Sequence, residues 1–261
     1  YSCYQRVNEM VKRAIILAAG SGTRLRPLTN NIPKTLLKVG RVTILDLTIS
    51  ILHRFNIDDI IVVTGHAADI LKEHVHKHYN NNTVRFRFIR NDKLDLGNIY
   101  SFYIAREYMD TDFILLNSDV LFHPKILEYL LAYDVSALAV DDHKILGEEE
   151  MKVKVNESGI IKDISKGIPI KEADGEYIGV MRLTSKDASM IIKSIIHLFN
   201  QGRYNLYYED AIRLVAHEYD VFYKCSTRGL QCIEIDTHED LKNAYSIAEA
   251  IERDIINDRF R

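Results

Sequence analysis

Tryptophan is absent from this chain, cysteine occurs three times, proline four times, and neither sign of charge dominates. Each scarcity removes a class of protein. Cys3, Cys225 and Cys232 are too few for a disulfide framework, and their spacing fits no common zinc pattern. With 34 Lys and Arg against 37 Asp and Glu, a formal net charge of −3, no basic field argues for nucleic acid. No apolar run approaches the roughly 20 residues that span a bilayer. The start carries no signal-peptide core either. No repeat or low-complexity stretch breaks the chain. The sequons Asn81-Asn82-Thr83 and Asn156-Glu157-Ser158 read as chance matches. What remains is 261 residues, 47% hydrophobic and 27% charged, ample for the core of a globular enzyme expected in the cytoplasm. Tyr1-Ser2-Cys3-Tyr4 has no initiator methionine, so a piece of a longer chain is expected, with room for a fused domain or a homo-oligomer.

The stretch Ile16 to Val39, ILAAGSGTRLRPLTNNIPKTLLKV, is the most informative. Arg13 to Ala18 is short and apolar, a buried strand. It gives way to Gly20, Gly22, Pro27 and Pro33, which suit neither helix nor strand interiors. A polar loop directly after a central strand is where α/β proteins bind ligands. Leu25 stands where a dinucleotide fingerprint needs its third glycine, and no Gly-Lys-Ser/Thr follows, so a P-loop is excluded too. Two glycines can bring backbone N–H groups close to an anion, and Arg24 and Lys34 add fixed positive charge. A tight turn with surface cations is the plainer alternative.

Along the chain, helices are predicted over 43–55, 67–78, 99–108 and 124–132, and strands over 59–65, 83–89, 112–116 and 135–140. That alternation predicts an α/β fold, Rossmann-like, with a mainly parallel mixed sheet and helices on both faces. After Asp141 the rhythm changes. Met151 to Val155 and Ile160 to Ile164 flank Asn156-Glu157-Ser158-Gly159, a hairpin signal. A strand over 177–183, a helix over 184–200, a last pair of strands over 221–225 and 231–235, and a helix from His238 towards Arg253 complete the chain. One domain over 12–252 is expected, its nucleotide half about 12–141 and its acceptor half, with a small substrate-side lobe, about 142–252. Segments 1–11 and 253–261 read as peripheral.

Ala18 to Lys34, with Gly20, Gly22, Thr23, Arg24, Pro27, Leu28, Thr29, Pro33 and Lys34 in order, resembles the signature of the sugar-1-phosphate nucleotidyltransferase superfamily. The resemblance runs from about Lys12 to Ala250 and takes in Asn117-Ser118-Asp119, Ser165-Lys166 and Glu234-Ile235-Asp236-Thr237. Within that superfamily, RNDKLDLGNIYSFYIARE and GEEEMKV look most like cytidylyltransferases acting on phosphocholine-type and inositol-phosphate-type substrates.

The implied reaction is attack of an acceptor phosphate oxygen on the α-phosphorus of CTP, releasing pyrophosphate. The nucleophile is already an anion, so the chemistry needs cations and rigid donors instead of a general base. For catalysis the resemblance implies Arg24 on the leaving phosphates, Lys34 on the α-phosphate and incoming phosphate, and Lys166 on the acceptor's phosphate. For the nucleotide it implies Leu17, Ala18, Ala19, Gly20, Ser21, Gly22, Thr23, Asn91 and Asn117, with Gly97, Asn98 and Ser101 around the base. Asp119 and Asp236 would hold Mg2+, which asks for one or two carboxylates beside phosphate oxygens. Ser118 stands where many relatives carry glycine, and serine is small enough to admit the nucleotide. Plainer readings stay open: Lys166 as a surface lysine, Asn98 as a helix cap, and Asp236 as the N-cap before Thr237-His238-Glu239-Asp240.

For the acceptor, Glu176, Tyr177 and Gly179, then Tyr204, Tyr207, Tyr208, Glu209 and Asp210, gather aromatics and acids. A quaternary ammonium wants aromatic faces and a carboxylate, whereas an inositol or a primary amine would use the same hydroxyls and acids. The expected function is therefore a Mg-dependent cytidylyltransferase acting on phosphocholine, inositol-1-phosphate or an aminoethylphosphonate. A sugar-1-phosphate uridylyl- or thymidylyltransferase is the alternative. A catalytically inactive nucleotide-binding or assembly subunit would have lost Arg24, Lys34, Asp119 or Asp236, and all four are present.

Overall fold

The computed structural model describes residues 10–80 and 83–258. Cys3, the other residues before 10, Asn81, Asn82 and 259–261 lie outside the described residues. Strand β1 (Arg13–Ala18) is followed by α1 (Ile44–Arg54), β2 (Asp59–Thr64), α2 (Ala68–His78), β3 (Arg85–Arg90), α3 (Asn98–Ile104) and β4 (Phe113–Asn117). Then come β5 (Val120–Phe122), α4 (Pro124–Leu131), β6 (Ser136–Asp141), β7 (Lys152–Val155), β8 (Ile161–Ser165) and β9 (Glu176–Leu183). The chain closes with α5 (Ser185–Asn200), α6 (Tyr208–Glu218), β10 (Phe222–Ser226), β11 (Cys232–Glu234) and α7 (His238–Asp258).

Alternation along β1 explains the layering. Ala14, Ile16 and Ala18 face one apolar cluster with α1, α2, α4 and α7 residues such as Leu47, Leu71, Leu127 and Ala244. Ile15 and Leu17 face the other, with Phe102 of α3, Ile191 of α5 and Ile212 of α6. Each fully buried Ile or Leu is worth about 1.5–3 kcal/mol, so a strand apolar on both faces belongs in the middle. The sheet order is β10-β6-β9-β4-β1-β2-β3, with β7 and β8 as a hairpin attached through β9. β1 runs parallel to β2 and β4, and β9 is antiparallel to β4 and β6. The chain moves from β1 outward to β3, then returns to β4 on the other side of β1. A crevice opens outside the carboxyl ends of β1 and β4, at the point where the strand order reverses.

Four local readings need correction. The helix expected over 99–108 stops at Ile104 and tightens into a 3-10 turn, Arg106–Tyr108. Strands β10 and β11 are not partners: β10 joins β6, and β11 pairs with β5 in a separate two-stranded ribbon. Helix α6 occupies a stretch for which the sequence pattern predicts no element, and α7 continues past Arg253 to Asp258. No helix among the described residues is long and apolar enough to cross a membrane.

Candidate active site

The loop after β1 is shaped by its glycines and by Thr29. Gly22 adopts φ 58°, and a Cβ there would meet the Thr29 methyl at 3.0 Å. The Thr29 hydroxyl donates to the Gly22 carbonyl at 2.7 Å, and the chain then winds through short 3-10 turns at Thr23–Leu25 and Lys34–Leu36. Leu17, Ala18, Gly20, Gly22 and Thr23 line a cavity of about 270 Å3 at the switch point. Ala19 is buried beneath it and Ser21 completes the loop. Arg24, Lys34, Asn98, Asn117, Ser118, Asp119 and Asp236 line the same cavity, so the glycine loop, both cations and both aspartates meet in one place.

The charges are wired together. The Lys34 ammonium lies 2.9 Å from Asp119 Oδ2 and 2.5 Å from Asp236 Oδ1, and Arg24 Nη2 lies 2.6 Å from Asp236 Oδ2. Burial would pull the Lys34 ammonium down, but Asp119 and Asp236 outweigh it and hold it above its ordinary value. Asp236 is not the cap of α7. That role falls to Thr237 and Asp240, whose side chains bond each other's backbone N–H groups at 2.8 and 3.2 Å. The Asp236 carboxylate is thus left for the cleft.

Glu234, two residues upstream, is a third carboxylate that the sequence reading did not place in the metal set. Oxygens of Asp119, Glu234 and Asp236 lie within 4.8 Å of one another. The available signal was the i, i+2 spacing of Glu234 and Asp236, which sets both on one face of an extended segment. Glu234 opens to the cleft, yet the protein packed around it and the charges of Asp119 and Asp236 push its carboxyl up to about 8, against the pull of Lys34. Asp119 Oδ1 is buried without a hydrogen-bond partner. A buried carboxylate oxygen without a donor, beside two more carboxylates, fits a hard divalent cation.

Around the expected base pocket the outcome divides. Gly97 lets the chain pass where a Cβ would stand 2.3 Å from the Leu206 carbonyl, and Asn98 reaches the cleft while its Oδ1 accepts the Tyr208 N–H at 2.9 Å. Asn91 and Ser101 are buried and bonded to each other at 2.9 Å, outside the cleft lining. They brace the wall.

The expected acceptor set is corrected more strongly. Tyr177 and Tyr208 belong to the core. The Tyr208 hydroxyl donates to Asn117 Oδ1 at 3.1 Å and receives the Tyr177 hydroxyl at 3.1 Å. Asp210 caps α6 by accepting the Tyr207 N–H at 2.9 Å, and Glu209 is buried, its carboxyl pushed up to about 7 by that burial. Glu176 is paired with Lys144 at 2.7 Å, and burial raises its carboxyl all the same. Gly179, at φ 77°, exists to admit Asn117, whose Nδ2 a Cβ would meet at 2.6 Å. Buried or capped in this way, Tyr177, Tyr208, Glu209 and Asp210 shape the cleft from behind. Tyr207, one of the aromatics expected on the acceptor side, does line the cleft. Lys166 sits at its edge, 5.4 Å from the Tyr207 ring centroid and 3.7 Å from Glu149.

Residues 13–146 match the nucleotidyl transferase family model. The chain belongs to that family. It is an enzyme of the nucleotidyltransferase type, and its glycine loop, cations and carboxylates lie together at the switch point. Among curated proteins, this nucleotidyltransferase is 28% identical to a choline-phosphate cytidylyltransferase of Streptococcus pneumoniae, over 90% of this chain and 97% of that one. It is 27% identical to a CTP:phosphoglutamine cytidylyltransferase of Campylobacter jejuni, over 88% and 97%. A solved inositol-1-phosphate CTP transferase from T. maritima shares the fold with a TM-score of 0.79 at 24% identity, covering 93% of this chain and 97% of that one.

Proposed function

We propose that this nucleotidyltransferase is a cytidylyltransferase that moves CMP from CTP to a small phosphorylated alcohol or phosphonate. The observation that carries the reading is the cluster of Arg24 and Lys34 with Asp119, Glu234 and Asp236 at the mouth of a glycine loop. CTP is favoured over other nucleotides by the two curated relatives matched over nearly their whole length, both named as cytidylyltransferases.

An acceptor phosphate oxygen attacks the α-phosphorus, the bond to the bridging oxygen breaks, and pyrophosphate leaves with that electron pair. Backbone N–H groups of the Gly20–Gly22 loop hold the triphosphate. Arg24 turns from Asp236 to the β- and γ-phosphates, and Lys34 offers its ammonium to the α-phosphate and the incoming oxygen. Lys166 meets the acceptor's phosphate from the Tyr207 side. Asp119, Asp236 and Glu234 are the residues that would hold Mg2+, which when bound would neutralise charge on the phosphates. Asn98 faces the pyrimidine. The nucleotide half is about 12–141 and the acceptor half about 142–252.

The test is pyrophosphate release with Mg2+ and each of CTP, UTP, dTTP, ATP and GTP against phosphocholine, inositol-1-phosphate, aminoethylphosphonate and glucose-1-phosphate. Release with CTP and one phospho-alcohol or phosphonate, lost in Asp119→Ala, is the expected result. Release with UTP or dTTP and glucose-1-phosphate would replace the reading with a sugar nucleotidyltransferase. Nucleotide binding without turnover on any acceptor would point to a binding subunit.

A further inference from the structure

We propose that His66 is a positioning residue that straps the nucleotide loop at both ends; this rests on the reading of that loop as the triphosphate site. His66 follows β2 and lines no part of the cleft, yet two of its groups reach the loop. Its backbone N–H donates to the Ala19 carbonyl at 3.3 Å, where the loop begins. Its ring Nε2 lies 2.8 Å from the Thr29 carbonyl, where the loop turns back. A carbonyl oxygen cannot donate, so Nε2 carries the hydrogen.

The hold passes inward from there. Thr29 is fully buried, and its hydroxyl donates to the Gly22 carbonyl at 2.7 Å. One residue just beyond β2 is therefore joined to the loop's first carbonyl directly and to its left-handed glycine through Thr29. Gly65 makes the approach possible, since a Cβ there would stand 2.5 Å from the Ala19 carbonyl oxygen. Immediately after His66, Ala67 sits at φ 51°, a left-handed conformation rare for a residue with a Cβ. The chain accepts that turn in order to leave β2 beneath the loop and enter α2.

A loop that presents backbone donors to a triphosphate works only if they point correctly before the ligand arrives, and an error of about 1 Å costs on the order of 100-fold in rate. His66 is thus a determinant of nucleotide affinity that never touches nucleotide. Gln offers an amide N–H at similar reach, whereas Leu fills the same space without a donor.

The experiment compares His66→Leu and His66→Gln with the wild-type enzyme. Steady-state KM for CTP and for the acceptor is measured by pyrophosphate release, and amide hydrogen exchange is followed at Leu25, Arg26 and Leu28, whose N–H groups close the loop's own turns. His66→Leu is expected to raise KM for CTP about tenfold with the acceptor KM within twofold, and to speed exchange at those amides. His66→Gln should return both to within threefold of wild type. A His66→Leu enzyme with unchanged CTP KM and unchanged exchange would overturn the strap. So would His66→Gln failing as badly as His66→Leu, or a loss shared equally by CTP and acceptor together with a lowered unfolding midpoint. If no nucleotide and acceptor pair turns over in the wild-type enzyme, the proposed function fails, and the exchange arm still decides the strap.

Discussion

Lys34 is the side chain on which the charge balance of the cleft turns. It is one-tenth exposed and stands between two aspartates that are themselves only about a quarter open to solvent. Removing one partner from a buried ion cluster costs about 3–5 kcal/mol, and partial solvation lowers the figure here to about 1–3 kcal/mol. Lys34→Met should lose that much stability in chelator, read from urea unfolding, and should recover more of it on adding Mg2+ than the wild-type enzyme gains. A variant as stable as wild type and indifferent to Mg2+ would mean that the carboxylates do not act as one cluster. Lys34, Arg24, Asp119 and Asp236 were singled out because the stretches that carry them resemble a family signature, and the fold brings all four to one cavity. Glu234 was harder to read: its role depends on Asp119, more than a hundred residues away, coming within reach. His66 left no trace at all, because what matters is a carbonyl that its ring meets across the fold.

At the scale of elements, helix α6 accounts for most of what the sequence reading misplaced. Tyr208, Glu209 and Asp210 look like ligand chemistry when read as a loop. As the first turn of a helix the same residues face the core and cap its N-terminus. The helical spacing of Ala211, Ile212, Val215 and Ala216 was the available signal. β5, with three residues, was too short to show any period. Helix α1 was readable, and its start supports a pH prediction. Asp46 completes a capping box with Thr43 and accepts hydrogen bonds from His74 Nε2 at 2.9 Å and the Tyr79 hydroxyl at 2.8 Å. Burial would raise its carboxyl, but the bonds from His74, Thr43 and Tyr79 win and hold it below its ordinary value. A carboxyl lowered by folding stabilises above its unfolded pKa of about 3.9 and loses that contribution as pH falls through the folded value. Asp46→Asn should therefore be less stable than wild type at pH 7, by about 1–2 kcal/mol, with the gap closing below pH 4. Urea midpoints of both proteins between pH 7 and 3 check this, and a gap that stays constant would sink it.

For the whole molecule, the position of β6 decides how the two halves are related. β6 lies in the proposed nucleotide half, but its hydrogen-bonded neighbours are β9 and β10, both from the proposed acceptor half. A fragment of residues 10–141 leaves that strand without a partner on either side. It should show no cooperative unfolding, whereas the full chain should unfold in one transition, coincident by circular dichroism and tyrosine fluorescence. Two separated transitions would mean that the halves fold alone. The alternation of strands and helices made the parallel part of this sheet legible from sequence. The insertion of β9 between β4 and β6 was not, since nothing in its own eight residues names its neighbours. Its place also sets the kind of motion available during turnover. One hydrogen-bonded sheet runs from β10 to β3 without a break, so the halves cannot rotate about a hinge without tearing a strand pair. Opening and closing of the cleft then belongs to surface segments such as residues 142–151 between β6 and β7, while the floor and the strapped glycine loop stay fixed.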